Sequence, residues 1–160
     1  MSDQQQLPVL DRREQEAIGK AIALMIRECP IALGVSVIYE DIDTGAMGVF
    51  PTSGTAYLRR FISGTFIGRY AFQILYRVKP VSDEMKILEE NRLESLACWL
   101  EGQTVTFKGR QYPGSSLPEL SDERTVKSIQ KTSHAMQVGI LPDGSVDFQV
   151  YLQLEYQKRG

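Results

Sequence analysis

The sequence predicts an α+β domain: a mainly antiparallel sheet with two principal amphipathic helices packed on one face, in the order helix, hairpin, two strands, helix, loop, hairpin. Three observations lead there. From Tyr70 to Lys79 side chains alternate, with Tyr70, Phe72, Ile74, Tyr76 and Val78 on one side and Ala71, Gln73, Leu75, Arg77 and Lys79 on the other. A period of two, rich in aromatic and β-branched residues, belongs to a central strand with one buried face. From Val146 to Tyr156 the alternation recurs behind a Pro142-Asp143-Gly144 turn, as the long return strand of a hairpin. Two further stretches repeat apolar residues at helical spacing, and each stripe needs a surface to cover.

Residues 1–8 are polar and glutamine-rich, the composition of a flexible arm, and residues 9–160 are expected to form a single domain. Asp11 stands where a helix N-cap would, with Glu14 three residues on as in a capping box. Ile18, Ile22, Met25, Ile26 and Cys29 then share one face until Pro30, which has no amide hydrogen and disfavours helix at Cys29. Val35–Asp41 and Met47–Phe50 read as strands joined by Asp41-Ile42-Asp43-Thr44-Gly45 in a β-hairpin. Tyr57–Ile62 is the next strand, and Ser63-Gly64-Thr65 turns it into the long alternating one.

Ser82 caps the second helix, Asp83 and Glu84 suit its positive end, and Gly102 stops it. Leu88, Leu93, Leu96, Ala97 and Leu100 form its apolar stripe, while Glu89, Glu90, Arg92 and Glu94 make a solvated face. Between Gln103 and Asp122 only Thr104–Phe107 is β-prone, and Pro113 to Pro118 is a loop expected to order against a neighbour. Thr125–Thr132 extends the first arm of the last hairpin, with a bulge where apolar parity shifts between Val126 and Ile129. Gln73, Arg77, Gln149, Tyr151, Gln153 and Glu155 make the second sheet face polar, though not strongly charged.

With 160 residues there is room for one real core, and 18 basic against 20 acidic residues leave a formal charge of −2. That balance excludes a general electrostatic pull on nucleic acid or an anionic membrane. Cys29 and Cys98, distant and each inside a helical pattern, read as buried free thiols of a reducing compartment. The longest apolar run, Ala21 to Ile26, is too short to cross a bilayer.

Chemistry finds little to hold. The single histidine, His134, shares the parity of Met136 and Val138 and reads as a partly buried strand residue. One histidine and two distant cysteines do not make a zinc site, and Asp41 with Asp43 lack the further oxygen ligands a hard cation needs. Gly45, Gly48 and Gly54 form no phosphate-binding fingerprint. The neighbouring carboxylates Glu40 with Asp41, and Glu89 with Glu90, diverge on a regular element. Tyr57, Phe61, Phe66, Tyr70, Phe72 and Tyr76 read as core rather than as a base-stacking platform. No catalytic, cofactor-binding or metal-ligating residue is expected, and the chain does not read as an enzyme.

Ile62-Ser63-Gly64, Tyr70-Ala71-Phe72-Gln73-Ile74 with Tyr76-Arg77, the helix holding Asn91 and ending at Trp99-Leu100-Glu101, and the strand Val150-Tyr151-Leu152 to Tyr156 together resemble a family of phage proteins. These are the minor capsid or tail terminator proteins of long-tailed, siphovirus-type phages and of prophages in Gram-positive bacteria. The likeness runs from about Ala17 to Tyr156 as element order and residue type. It implies a non-enzymatic virion protein that forms a homohexameric ring at the head-proximal end of the tail. There it stops polymerisation of the tail-tube protein and offers a surface to the head-completion or neck protein. It further implies location at the tail-neck junction of the virion, with assembly in the host bacterial cytoplasm. DNA would pass as cargo without specific binding, which a near-neutral balance suits.

Exposed connections are the candidate contacts to the tail tube or to the next subunit: Asp43, Thr44, Gly45 and Met47 at the expected hairpin tip, and Tyr112, Pro113, Leu117 and Pro118 in the loop from Gln111 to Leu120. Two other readings compete. One is a head-completion or connector protein on the head side of the same joint. The other is a monomeric small-ligand-binding module with a pocket lined by Tyr70, Phe72 and Trp99.

Overall fold

The computed structural model describes residues 7–32, 34–116, 119–121 and 123–160. Its frame is two long strands, β4 (Phe66–Val78) and β10 (Val146–Lys158), paired antiparallel over their whole length. Around them stand β1 (Ser36–Tyr39), β2 (Ala46–Pro51), β3 (Ala56–Arg60), β7 (Glu119–Ser121), β8 (Arg124–Lys131) and β9 (Met136–Ile140). These eight strands form one mixed, mainly antiparallel sheet in the order β1-β2-β4-β10-β8-β7. β3 continues beside β4 and β9 beside β10. The helices are α1 (Arg12–Arg27) and α2 (Asp83–Leu100), and β5 (Val105–Phe107) with β6 (Arg110–Tyr112) makes a separate small hairpin. The chain has the expected α+β architecture.

Alternation divides the two faces of the sheet. Tyr70, Phe72, Ile74, Tyr76 and Val78 are buried on the helix side, and Val146, Phe148, Val150, Leu152, Leu154 and Tyr156 join them across the ladder. Ile18, Ile22, Met25 and Ile26 of α1 and Leu93, Leu96, Ala97 and Leu100 of α2 close the core from above. Each fully buried large apolar side chain contributes about 1.5–3 kcal/mol, so the interleaved rows dominate stability.

α2 ends as expected. Ser82 Oγ accepts the Met85 N–H at 3.1 Å, and Gly102, at φ +91°, closes a Schellman turn in which the Gln103 N–H donates to the Cys98 carbonyl. α1 ends before the 3₁₀ turn Pro30–Ala32, as Pro30 requires. Its start differs from expectation. Asp11 occupies the N-cap position without a side-chain capping bond, and Glu14 does not reach back to it because its carboxylate is engaged by Arg124 and Tyr156.

Other expectations are corrected. β1 and β2 do not form a hairpin: they pair parallel, Ser36 opposite Ala46 through Tyr39 opposite Val49. The connection 40–45 therefore doubles back, and it crosses the outer face at Gly48, where an added Cβ would strike the Asp41 carbonyl oxygen. Residues 124–140 are two strands rather than one arm, both pairing with β10. The bulge expected between Val126 and Ile129 is present at Lys127, where Glu155 and Tyr156 face Ser128 and Val126. A second bulge at Val138, unforeseen, puts Gln137 opposite Phe148 on the helix side. Met136 therefore stands opposite Gln149 on the outer face and Val138 is left unpaired, 46 and 45 % exposed, while Ile140 keeps its place opposite Val146 on the helix side and is 67 % exposed where the strand ends, so the three do not form a buried row. The expected arm at residues 1–8 lies outside the described residues up to position 6, while the Pro8 carbonyl accepts the Tyr57 N–H and Val9 bridges Ala56.

Candidate interaction surfaces

The sheet face opposite the helices carries no helix and reads as an amide-rich plane. Gln73, Gln149, Gln153 and Gln157 stand half-buried on it beside Leu75, Tyr151 and Glu155. Arg77 and Asp147, opposite each other on β4 and β10, form a two-bond pair at 2.8 and 3.0 Å and neutralise one end. Such a plane suits water or a flat protein partner, and it has no concentration of cations that would hold a phosphate backbone.

The ionisable groups that do converge are latched onto one another. Glu14 on α1 accepts from Arg124 on β8 at 2.8 and 2.9 Å and from the Tyr156 hydroxyl at 2.8 Å. Burial acts to raise its carboxyl, but the bonds from Arg124 and Tyr156 outweigh this and hold it below the ordinary carboxylate range. Glu89, expected on a solvated face, is buried: the Tyr76 hydroxyl and Arg92 donate to it, and Arg92 also donates to the Ile31 carbonyl. Both pairs tie a helix to the sheet or to its flanking turn.

A third cluster sits at the surface. Glu94 on α2 accepts from Lys131 Nζ (2.5 Å) and the Ala135 N–H (2.7 Å), with His134 Nδ1 at 2.8 Å. Burial would raise the Glu94 carboxyl, and these donors bring it below the ordinary range instead. His134 is 84 % exposed, not partly buried, since residues 132–135 leave the ladder before β9 begins. The cluster fixes the β8–β9 connection against α2 and thereby sets the position of β9. Lys131 Nζ also lies 3.5 Å from Cys98 Sγ. Among the described residues no group of three or more His, Cys, Asp or Glu is arranged to hold a metal.

The sequence-predicted contact residues separate. Asp43, Thr44 and Gly45 are exposed, on the return connection between β1 and β2. Met47 is 0 % exposed, opposite Tyr76 in the core, and is unavailable to a partner. Tyr112 packs half-buried against the core from β6, and Pro113 is exposed. Leu117 and Pro118 lie outside the described residues. Part of their loop is seated within the chain: the Ser115 N–H donates to the Trp99 carbonyl, and Gly114 packs so closely on Gly102 that a side chain would collide there.

Tyr70 and Phe72 do not line a pocket. They are 0 and 1 % exposed and stack at 5.4 Å. Five surface depressions of about 270 to 590 Å³ are lined by neither of them nor by Trp99. What the sequence reading missed is the set of apolar side chains standing in the open: Ile62 at 109 %, Val81 at 90 %, Ile140 at 67 % and Ile87 at 63 % exposure. Gly139 inside a short strand was the available signal for the bulge at Val138, which puts Met136 on the outer face.

No protein-family model matches the chain, and no curated protein is significantly similar to it. No helix of the described residues is long and apolar enough to cross a membrane.

Proposed function

We propose that the chain is a structural assembly protein that acts through repeated protein contacts, as a ring-forming tail terminator at the head-proximal end of a phage tail. The observation that carries this reading is the exposed apolar surface at Ile62, Val81, Ile87 and Ile140. Val81, Ile87 and Ile140 stand near one another at one end of the sheet and Ile62 at the other, and apolar groups exposed in this way mark interaction sites, because covering them is favourable by about 25 cal/mol per Å². Two features support the reading: the helix-free, amide-rich sheet face, and the strand β9, which presents an outer edge. The resemblance in element order to tail terminator proteins supplies the biological setting, in which the subunit caps the tail tube and meets the neck.

The test is molar mass by light scattering over a range of concentrations, with negative-stain images of the same sample, followed by addition to a polymerising tail-tube protein. Closed rings with a central hole, and tubes of limited length in their presence, are the expected result. A monomer at every concentration that also leaves tube growth unchanged would refute the terminator assignment. Rings that leave tube growth unchanged would move the protein to the head side of the joint.

A further inference from the structure

The exposed apolar side chains gather at the two ends of the long strands, and the charges around them differ in sign. At one end the β3–β4 turn presents Arg59, Arg60, Phe61 and Ile62, all exposed, with Arg59 lying 5.0 Å from the centre of the Phe61 ring. Residues 158–160 run alongside, where the Gly160 N–H donates to Thr65 Oγ1 at 3.2 Å, and bring Lys158 and Arg159 to the same end. Among the described residues the acids there are Glu123, whose carbonyl accepts the Arg159 N–H, and the buried Glu14, 3.9 Å from Lys158 Nζ and already paired with Arg124, which leaves Arg59, Arg60 and Arg159 as the exposed cations. β4 and β10 each run 13 residues, so the opposite end is about 40 Å away.

At that far end two adjoining depressions of about 290 and 270 Å³ lie between α2 and β9. Val81 and Ile140 line one, Ile87 and Glu90 line the other, and Asp83 and Lys86 border both. Asp83, Glu84, Glu90 and Asp143 outnumber Lys79 and Lys86 around them. A net charge of −2 therefore conceals a molecule that is basic and apolar at one end, acidic and apolar at the other.

We propose that the two ends mate between copies of this chain: the Arg59–Ile62 turn of one copy seats its apolar tip between α2 and β9 of the next, its guanidinium groups against Asp83 and Glu90. The inference rests on the assembly reading above and names its subunit contact. Burial of Phe61 and Ile62 against Val81, Ile87 and Ile140 supplies the attraction, and the charged rims set orientation. Two identical ends repel, so pairing is head-to-tail. A heterologous contact of that kind closes into a ring when its rotation permits.

Sedimentation velocity of the full chain, over concentration and at low and high salt, tests it with two charge-reversed variants. Arg59→Glu with Arg60→Glu makes both ends acidic, and Asp83→Lys with Glu90→Lys makes both ends basic. All four positions lie on the surface, and unchanged circular dichroism and thermal midpoint confirm folding. Each variant alone should lose self-association at least tenfold in Kd, and an equimolar mixture should restore it, since the two then alternate. Ile140→Asp, which leaves α2 untouched, should weaken it as well. If wild-type rings form and the variants assemble equally well, this contact is wrong while the assembly reading stands. A wild-type chain that caps tail tubes but never self-associates in solution, or a mixture that fails to restore association, also overturns the contact.

Discussion

At the scale of single residues, buried polar groups mark where helices are locked to the sheet. Glu14 accepts three bonds from Arg124 and Tyr156, and its side chain is only 8 % exposed. Removing one partner of such a pair leaves an uncompensated charge and costs roughly 3–5 kcal/mol. The Glu14 carboxyl is held below its unfolded value, so its contribution is present above that value, near pH 4.5, and is lost as pH falls through the folded value. Glu14→Gln should thus lower stability at pH 7 and flatten the acid side of a urea-denaturation series run from pH 7 to 3; Glu94, also lowered, keeps part of the slope. Tyr70 presents the reverse case. Its hydroxyl is buried beside the Tyr39 hydroxyl without a well-formed hydrogen bond. An unmet buried polar group costs about 1–3 kcal/mol, so Tyr70→Phe should hold or raise the thermal midpoint in scanning calorimetry. A fall of several degrees would show that the hydroxyl is satisfied in solution. None of this was legible from spacing: Glu14 and Arg124 are 110 positions apart, and Glu89 looked solvated because helical period alone cannot supply its Tyr76 partner.

At the scale of elements, local signals worked where the deciding interaction is local. The Ser82 cap, the Gly102 turn and the break at Pro30 each involve atoms a few residues apart, and the Lys127 bulge, though formed against β10, shows in the parity of its own neighbours. They failed where direction depends on what lies across the sheet. Asp41 to Gly45 has hairpin-loop composition, yet β2 already pairs antiparallel with β4 on its other side, and β1 takes the free edge parallel to it. That arrangement needs the connection to pass over Gly48, and glycine within a strand is the sequence trace of such a backbone crossing. Gly48→Ala should destabilise by about 1–3 kcal/mol in chemical denaturation, because the obstructing atom is backbone and cannot rotate away. Gly139→Ala is the control: nothing lies within 4 Å of a Cβ there, and little change is expected. Gly68 repeats the logic against a side chain, with the Tyr156 ring 2.9 Å from an added Cβ, fully buried and held by its bond to Glu14.

At the scale of the whole molecule, the sheet buries one face and leaves the other, with its two ends, to water or to partners. Each end joins apolar side chains to charges of one prevailing sign, so association of the wild type should weaken at high salt, as rim charges within about 8–10 Å are screened. Salt that strengthens association instead would point to contact through the amide-rich plane and apolar surface alone. The sequence by itself determined the fold class, the two long strands, the buried stripes and the helix stops, because a period of two or 3.6 and a cap are written in neighbouring residues. Only the tertiary structure decided the parallel β1–β2 pair, the burial of Glu14, Glu89 and Met47, the exposure of His134, and the gathering of Ile62 at one end with Ile140 at the other. Those depend on which distant strand lies alongside and where a register slips: the single inserted residue Val138 puts Met136 on the face opposite to the one that unbroken alternation from Ile140 would give it.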